Sequence, residues 1–255
     1  MRTAEEWADY VFGLPDFTQF VIFTVHGLFV FGVSLGLLKL FNTRSKQVAQ
    51  WLPVGPFFAS ISMVFALFLA FHAADIWSHK RSAERAFIQA GSAIKRFSEL
   101  TSPAQLNAPE AAAAVRAYVV AVKEEEWTKH RNQKASDKAA AALRDLQAII
   151  VRLARDMPGP AAVQAFALVD DIATTRSERL WIGRNHTEFH SWLAVLLIGF
   201  MTHLAVASVH LDRPRAGALA LGLLTVTTTI AYWSLGVVDD PYRHLDKLDP
   251  MSWLG

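Results

Sequence analysis

The chain has 255 residues, of which 53% are hydrophobic and 19% charged, and its formal net charge is +2. So small a net charge, without an interleaved basic and aromatic patch, gives no support for nucleic-acid binding, and the lack of cysteine excludes disulfides and thiolate metal sites. The mean hydropathy of +0.24 averages long uncharged runs near both ends with a polar middle. Such segregation is typical of an all-α integral membrane protein with a soluble insert.

Two uncharged runs near the N-terminus predict a pair of membrane-spanning helices. Residues 17–38 and 53–74 contain no Asp, Glu, Lys or Arg. At about 1.5 Å per residue, each run is long enough to cross the roughly 30 Å hydrocarbon core of a bilayer. The preceding residues 1–16 combine acidic and aromatic side chains, so we expect them to form an interfacial segment rather than a cleaved signal.

The helix that begins in the second run is predicted to leave the membrane as a basic, water-exposed rod. After Asp75 the sequence turns polar, and no Pro or Gly interrupts it before Gly91. Met63, Leu67 and Phe71 recur every four residues and therefore share one face of this helix. Such a stripe usually packs against a neighbouring helix, and the alternative is that it lines a channel. The basic residues that follow fit either lipid headgroups or a positive pore mouth; they are Lys80, Arg81 and Arg85.

The polar middle, 79–188, is predicted to be helical throughout. We expect one helix to begin at Pro109, a second to be capped by Ser136, and a break at 157–160. A further helix with Val163, Phe166, Val169, Ile172 and Leu180 is predicted to carry the chain back to the membrane. Two charged motifs on different helices predict either an ion-pair network or a solvated face; they are Glu125-Glu126-Trp127 and Arg176 with Arg179.

Two further uncharged runs, 189–211 and 216–238, predict the third and fourth spans. Both termini and the polar middle then share one side of the membrane. That side has 11 Lys and Arg near the membrane against 5 on the other, which predicts a cytoplasmic location in an inner (plasma) membrane. The predicted division is an interfacial segment 1–16, spans in 17–78, a cytoplasmic helical domain 79–188, spans in 189–238 and a cytoplasmic polar tail 239–255.

Histidines in the spans leave another function open. His26 and His72 lie at similar predicted depth, so they could ligate a b-type haem, although a single histidine in a helix commonly hydrogen-bonds a neighbour. His186 and His190 have the i, i+4 spacing of zinc ligands but no third ligand. The chain has no nucleophile elbow, P-loop or dinucleotide fingerprint. We therefore expect no enzyme activity, cofactor or metal.

The segment 65–85, FALFLAFHAADIWSHKRSAER, is similar to the pore helix of the bestrophin channels, in which an apolar run leads into an aromatic and basic stretch. The order of spans and helical insert also resembles that of bestrophins. The resemblance is closer to the bacterial bestrophin-like family, domain of unknown function 4239, and extends over about residues 17–245. Its motifs are matched by Tyr118, Glu125-Glu126-Trp127, Arg176, Arg179-Leu180 and Asp240-Pro241-Tyr242.

The resemblance implies a homopentamer of four-span subunits that conducts inorganic anions, with the second spans around an axis. Met63, Leu67 and Phe71 would form the neck of the pore, and His72, which replaces a bestrophin-type Arg, would join Lys80, Arg81 and Arg85 in the vestibule. The alternatives are a non-conducting membrane scaffold that binds a partner protein and, third, the haem protein. Four aspartates follow the fourth span: Asp239, Asp240, Asp246 and Asp249. They either resemble the acidic calcium clasp of animal bestrophins or are ordinary solvent-exposed charges.

Overall fold

A computed structural model describes residues 10–42, 55–185, 189–243 and 248–254. Contacts divide the chain into two compact units: Met1–Trp77 with Thr187–Asp240, and Ser78–His186 with Pro241–Gly255. The described residues contain helices and no strand. The α-helices are α1 (Asp16–Asn42), α2 (Gly55–Leu100), α3 (Pro109–Ala121), α4 (Asp137–Leu153), α5 (Gly159–Arg184), α6 (Phe189–Val209) and α7 (Pro214–Asp239).

The fold class predicted from the sequence is confirmed. Four helical stretches are long and apolar enough to cross a membrane, and each of them contains the greater part of one predicted run. They include α1, α2 from Phe58 onward, α6 and α7. Residues 1–9, His186 and Asp246, for which the sequence also makes predictions, lie outside the described residues.

The first unit packs α1, α6 and α7 together with the N-terminal half of α2. Its core contains Phe23 of α1, Phe65 of α2, Trp192 of α6 and Tyr232 of α7. At Gly27 the helices α1 and α7 approach so closely that a Cβ atom would overlap the Thr229 hydroxyl. Close approach at small residues is how helices associate within a bilayer, where lipid supplies no hydrophobic drive between them.

The second unit buries the C-terminal half of α2, so the prediction of a water-exposed rod is wrong. Ala83, Ala86, Ile94 and Phe97 are all buried, because this half carries an apolar residue every three or four positions. The helix ends at Leu100, before the Thr-Ser-Pro sequence, as expected. Ser136 caps α4, with its hydroxyl oxygen accepting hydrogen bonds from two backbone N–H groups at its start.

One further expectation about the second unit is corrected. The C-terminal tail is not simply polar, because Pro250–Leu254 form a 3₁₀ helix whose Trp253 is buried against Phe87. Among the apolar residues noted for α5, Val169, Ile172 and Leu180 are buried, whereas Val163 and Phe166 are exposed.

Candidate functional site

Helix α2 presents an uncovered apolar face within the first unit, which we call the α2 outer face. It consists of Met63, Leu67 and Phe71, which are 65%, 47% and 71% exposed. The stripe therefore does not pack against α1 within the chain, which was the usual explanation for it. In a membrane segment, such a face contacts lipid or another copy of the helix.

The opposite face of α2 holds the helix against the bundle. Phe65 and Ile76 belong to the core of the first unit, and His72 lies between them in helical register. His72 is only 6% exposed, and its ring meets that of Trp192 edge-on with 4.5 Å between centroids. His72 is thus buried on the side away from the α2 outer face.

The basic residues after the apolar run differ in exposure. Arg81 and Arg85 are exposed and Lys80 is half-buried. A guanidinium N–H of Arg85 donates a hydrogen bond of 3.0 Å to the Ser82 hydroxyl one turn earlier. These side chains present positive charge at the start of the second unit's part of α2.

The second charged constellation is brought together as a buried ion-pair network. Glu126 is fully buried, and its two carboxylate oxygens accept hydrogen bonds from Arg176 at 2.5 Å and from Arg179 at 2.7 Å. Arg179 is itself fully buried and also donates to the side-chain oxygen of Asn132 at 2.8 Å. Glu126, Arg176 and Arg179 therefore form an ion-pair network rather than a solvated charged face. Removing one partner of such a buried ion pair strongly destabilises the folded protein, because the other charge is left buried and unpaired.

The local backbone conformation turns the side chain of Glu126 toward the interior of the second unit. Val122–Lys129 form a π-helical segment, in which an extra residue per turn changes the direction of the side chains. Glu124 and Glu125 point outward to Lys138 and Lys129, whereas Glu126 turns inward. The run of three glutamates is thus split between surface and core.

The guanidinium of Arg179 also lies near two indole rings. Its central carbon is 5.9 Å from the centroid of Trp127 and 5.6 Å from that of Trp253. Cation–π contacts stabilise such a buried charge. Burial raises the pKa of the neighbouring Tyr118 hydroxyl, and the positive charge of Arg179 opposes that rise.

Comparison with known families gives one match. The Bestrophin-like domain matches residues 26–244, which include all four candidate spans in large part and the ion-pair network. This chain belongs to the Bestrophin-like family. The resemblance noted in its motifs is thereby confirmed, and the protein is a multi-pass membrane protein.

The Bestrophin-like chain is similar in fold to crystal structures of a bacterial bestrophin homolog from Klebsiella pneumoniae. Two structures of variants of that protein align with a TM-score of 0.68 at 13% identity, covering 89% and 90% of this chain and 96% and 99% of theirs. A third aligns with a TM-score of 0.67 at 14% identity, covering 89% and 95%. At such identities the likeness shows the fold alone. No protein with a curated description matches the sequence.

The histidines proposed as haem ligands are not brought to one cavity in the Bestrophin-like structure. His26 lines a space of about 10 Å³ together with His203 and Tyr232. Ligand pockets usually hold roughly 300 Å³ or more. His72 lines a different, open groove with His190. His203 is buried and makes ring-nitrogen hydrogen bonds to the Gly199 carbonyl and the Thr225 hydroxyl, as a structural histidine does.

The aspartates after the last span do not form a cluster in the described residues. Asp239 and Asp240 are buried, which corrects the expectation of solvated charge for these two, whereas Asp249 is exposed and pairs with Lys123 at 2.7 Å. No group of three His, Asp or Glu side chains in the described residues is arranged to hold a metal ion.

Sequence reasoning missed two participants in the network. Asn132 has a positive φ of 58°, which Asn tolerates better than most residues, and its backbone N–H donates to the Glu126 carbonyl. Gly183 is required beside it, because a Cβ atom would overlap the Asn132 carbonyl oxygen. Asn132 could have been noticed as a left-handed turn candidate between two helical patterns, but no signal links Gly183 to it.

Proposed function

We propose that this Bestrophin-like protein is an anion channel in which α2 of several copies, five by analogy with bestrophins, surrounds an axial pore. The observation that carries the proposal is the α2 outer face: three large apolar side chains are exposed on a helix whose other face is packed. Copies of that face meeting on an axis would cover it. They would also form successive apolar rings, about 6 Å apart along the helix, that gate by excluding water.

The basic residues support anions as the conducted species. Arg81 and Arg85 follow Met63 and Leu67 by 18 residues, or about five helical turns, so the helical register puts them on the same side of α2. Several copies would present a ring of guanidinium groups beside the apolar rings. Such a ring raises the local anion concentration, and Lys80 would contribute at its margin.

The experiment that tests conduction uses chloride-loaded vesicles that contain the purified chain. We expect chloride efflux faster than from protein-free vesicles and slower when Arg81 and Arg85 are both changed to Glu. Efflux equal to that of protein-free vesicles, from protein shown to be oligomeric, would contradict the proposal. It would favour the alternative of a non-conducting scaffold that binds a partner protein.

We further propose that both termini and the second unit lie in the cytoplasm, because the Lys and Arg balance favours that side. A reporter active only outside the cytoplasm should be active when fused after Arg213, between α6 and α7. The same reporter should be inactive after Gln105 or Gly159, which belong to the second unit. The reverse pattern would invert the orientation and put the basic residues on the other side.

A further inference from the structure

The open groove that His72 lines lies between α2 and α6 within the first unit and has a volume of about 430 Å³. We call it the α2–α6 groove. Both helices contribute to its lining, which includes Phe68, Phe71, Asp75, His190, Ser191 and Ala194. Five of these six side chains are exposed, and Ala194 is half-buried. They are therefore open to contact with a ligand in the groove.

The α2–α6 groove is polar at one end and apolar at the other. The uncharged run of α2 ends one residue before Asp75, and the uncharged run of α6 begins at Phe189, next to His190. Both ends therefore mark the same boundary between membrane and water. From this boundary, Phe68 lies about 10 Å deeper along α2, and Ala194 lies one turn deeper along α6. The groove thus has the polarity of an amphiphile in one leaflet of a bilayer.

The polar end carries hydrogen-bonding groups that the chain itself does not use. Within the described residues, the side chains of Asp75, His190 and Ser191 take part in no hydrogen bond or ion pair. Among the described residues that line the groove, Asp75 alone is an Asp, Glu, Lys or Arg. An unpaired carboxylate at the membrane boundary attracts a cationic group and repels an anionic one. A ligand of this groove should therefore be cationic where it meets Asp75.

We propose that the α2–α6 groove binds a phospholipid whose head group ends in a primary ammonium group, as in phosphatidylethanolamine. The ammonium group donates hydrogen bonds to Asp75, and the phosphate accepts hydrogen bonds from the Ser191 hydroxyl and the His190 ring. One acyl chain begins along Phe68 and Ala194, and the rest of the lipid stays in the bilayer. The groove volume lies in the range of ligand pockets, which suits a head group with the start of one chain.

Other common head groups match the polar end less well. Phosphatidylglycerol is anionic and has no cation to offer Asp75. Phosphatidylcholine carries a cation, but its three methyl groups remove every N–H donor. The proposal does not depend on ion conduction, because all of the lining belongs to the first unit of a single copy. Phe71 belongs both to this groove and to the α2 outer face, so the test measures lipid binding and leaves Phe71 unchanged.

The test is native mass spectrometry of the delipidated full chain in detergent, titrated with dioleoyl lipids. We expect one phosphatidylethanolamine per chain, bound about tenfold more tightly than phosphatidylcholine or phosphatidylglycerol. Adding methyl groups to the ammonium one at a time should weaken binding stepwise, because each methyl group replaces a donor. Asp75→Asn should lower the affinity for phosphatidylethanolamine about tenfold and remove its advantage over phosphatidylcholine.

Asp212→Asn is the matched control. Asp212 is also an exposed carboxylate of the first unit, but it lies outside the groove and pairs with Arg213. Its substitution should leave lipid binding unchanged. The proposal is overturned if Asp75→Asn binds phosphatidylethanolamine like wild type, or if wild type binds phosphatidylcholine equally well. It is also overturned if the chain retains no lipid, a result that would favour a second copy as the occupant of the groove.

Discussion

Changing Glu126 to Gln is expected to destabilise the second unit by about 3–5 kcal/mol. Both carboxylate oxygens hold a guanidinium group, and neither Glu126 nor Arg179 has solvent access. The amide keeps the shape of the side chain but leaves two arginine charges without a buried counter-ion. Water cannot reach Arg179 to compensate. We expect the melting temperature of the purified protein to fall by roughly 10 °C.

The run of glutamates supplies its own control. Glu124→Gln removes the same charge two residues away, from a side chain that is 54% exposed and paired with an exposed lysine. We expect this variant to melt like wild type, because exposed pairs contribute little. Thermal unfolding followed by circular dichroism compares the two variants. Equal melting temperatures for Glu126→Gln and Glu124→Gln would mean that the buried network contributes no more than a surface pair.

The spans and the helical class were predictable because they depend on local composition. Uncharged runs of membrane length and caps such as Ser136 are signals contained within a few residues. The pairing of Arg176 and Arg179 with the glutamate motif was also predicted, since the planar guanidinium group suits a carboxylate. These local signals do not show which side of a helix is buried by neighbouring helices. Val163 and Phe166, for example, are apolar residues of α5 that are exposed.

The parts that escaped prediction depend on distant packing. Trp253 lies in a polar tail, and its burial follows from the space left by Gly91, where a Cβ atom would lie 2.7 Å from the indole. The inward turn of Glu126 depends on a π-helical segment that no sequence periodicity marks. Both features arise from contacts between residues more than 100 positions apart or from a rare backbone form, and neither leaves a local pattern.

The second large effect is expected at Phe71, in the α2 outer face. The chain contains no cysteine, so Phe71→Cys creates a unique thiol that aqueous methanethiosulfonate reagents can modify. If copies of α2 surround the pore, a sulfonate-bearing adduct puts one negative charge per copy into the neck. Chloride efflux should then fall several-fold, because like charge in a narrow apolar passage opposes anion entry. A trimethylammonium adduct of similar size should slow chloride less.

Ile230→Cys is the matched control. Ile230 is also a large apolar residue, 52% exposed, but it lies on α7, which is not proposed to line the pore. Its modification should leave efflux unchanged. Mass spectrometry of the recovered protein shows whether each thiol has reacted, so that an unmodified cysteine is not mistaken for an inert adduct.

The most direct test of the channel is therefore the ratio of chloride efflux from Phe71→Cys vesicles after negative and after positive thiol modification. We expect chloride efflux to be clearly slower with the sulfonate than with the ammonium adduct, and we expect no such difference at Ile230→Cys. Equal efflux with the two adducts on fully modified Phe71→Cys, or a thiol there that does not react because it faces lipid, would contradict an anion pore lined by α2.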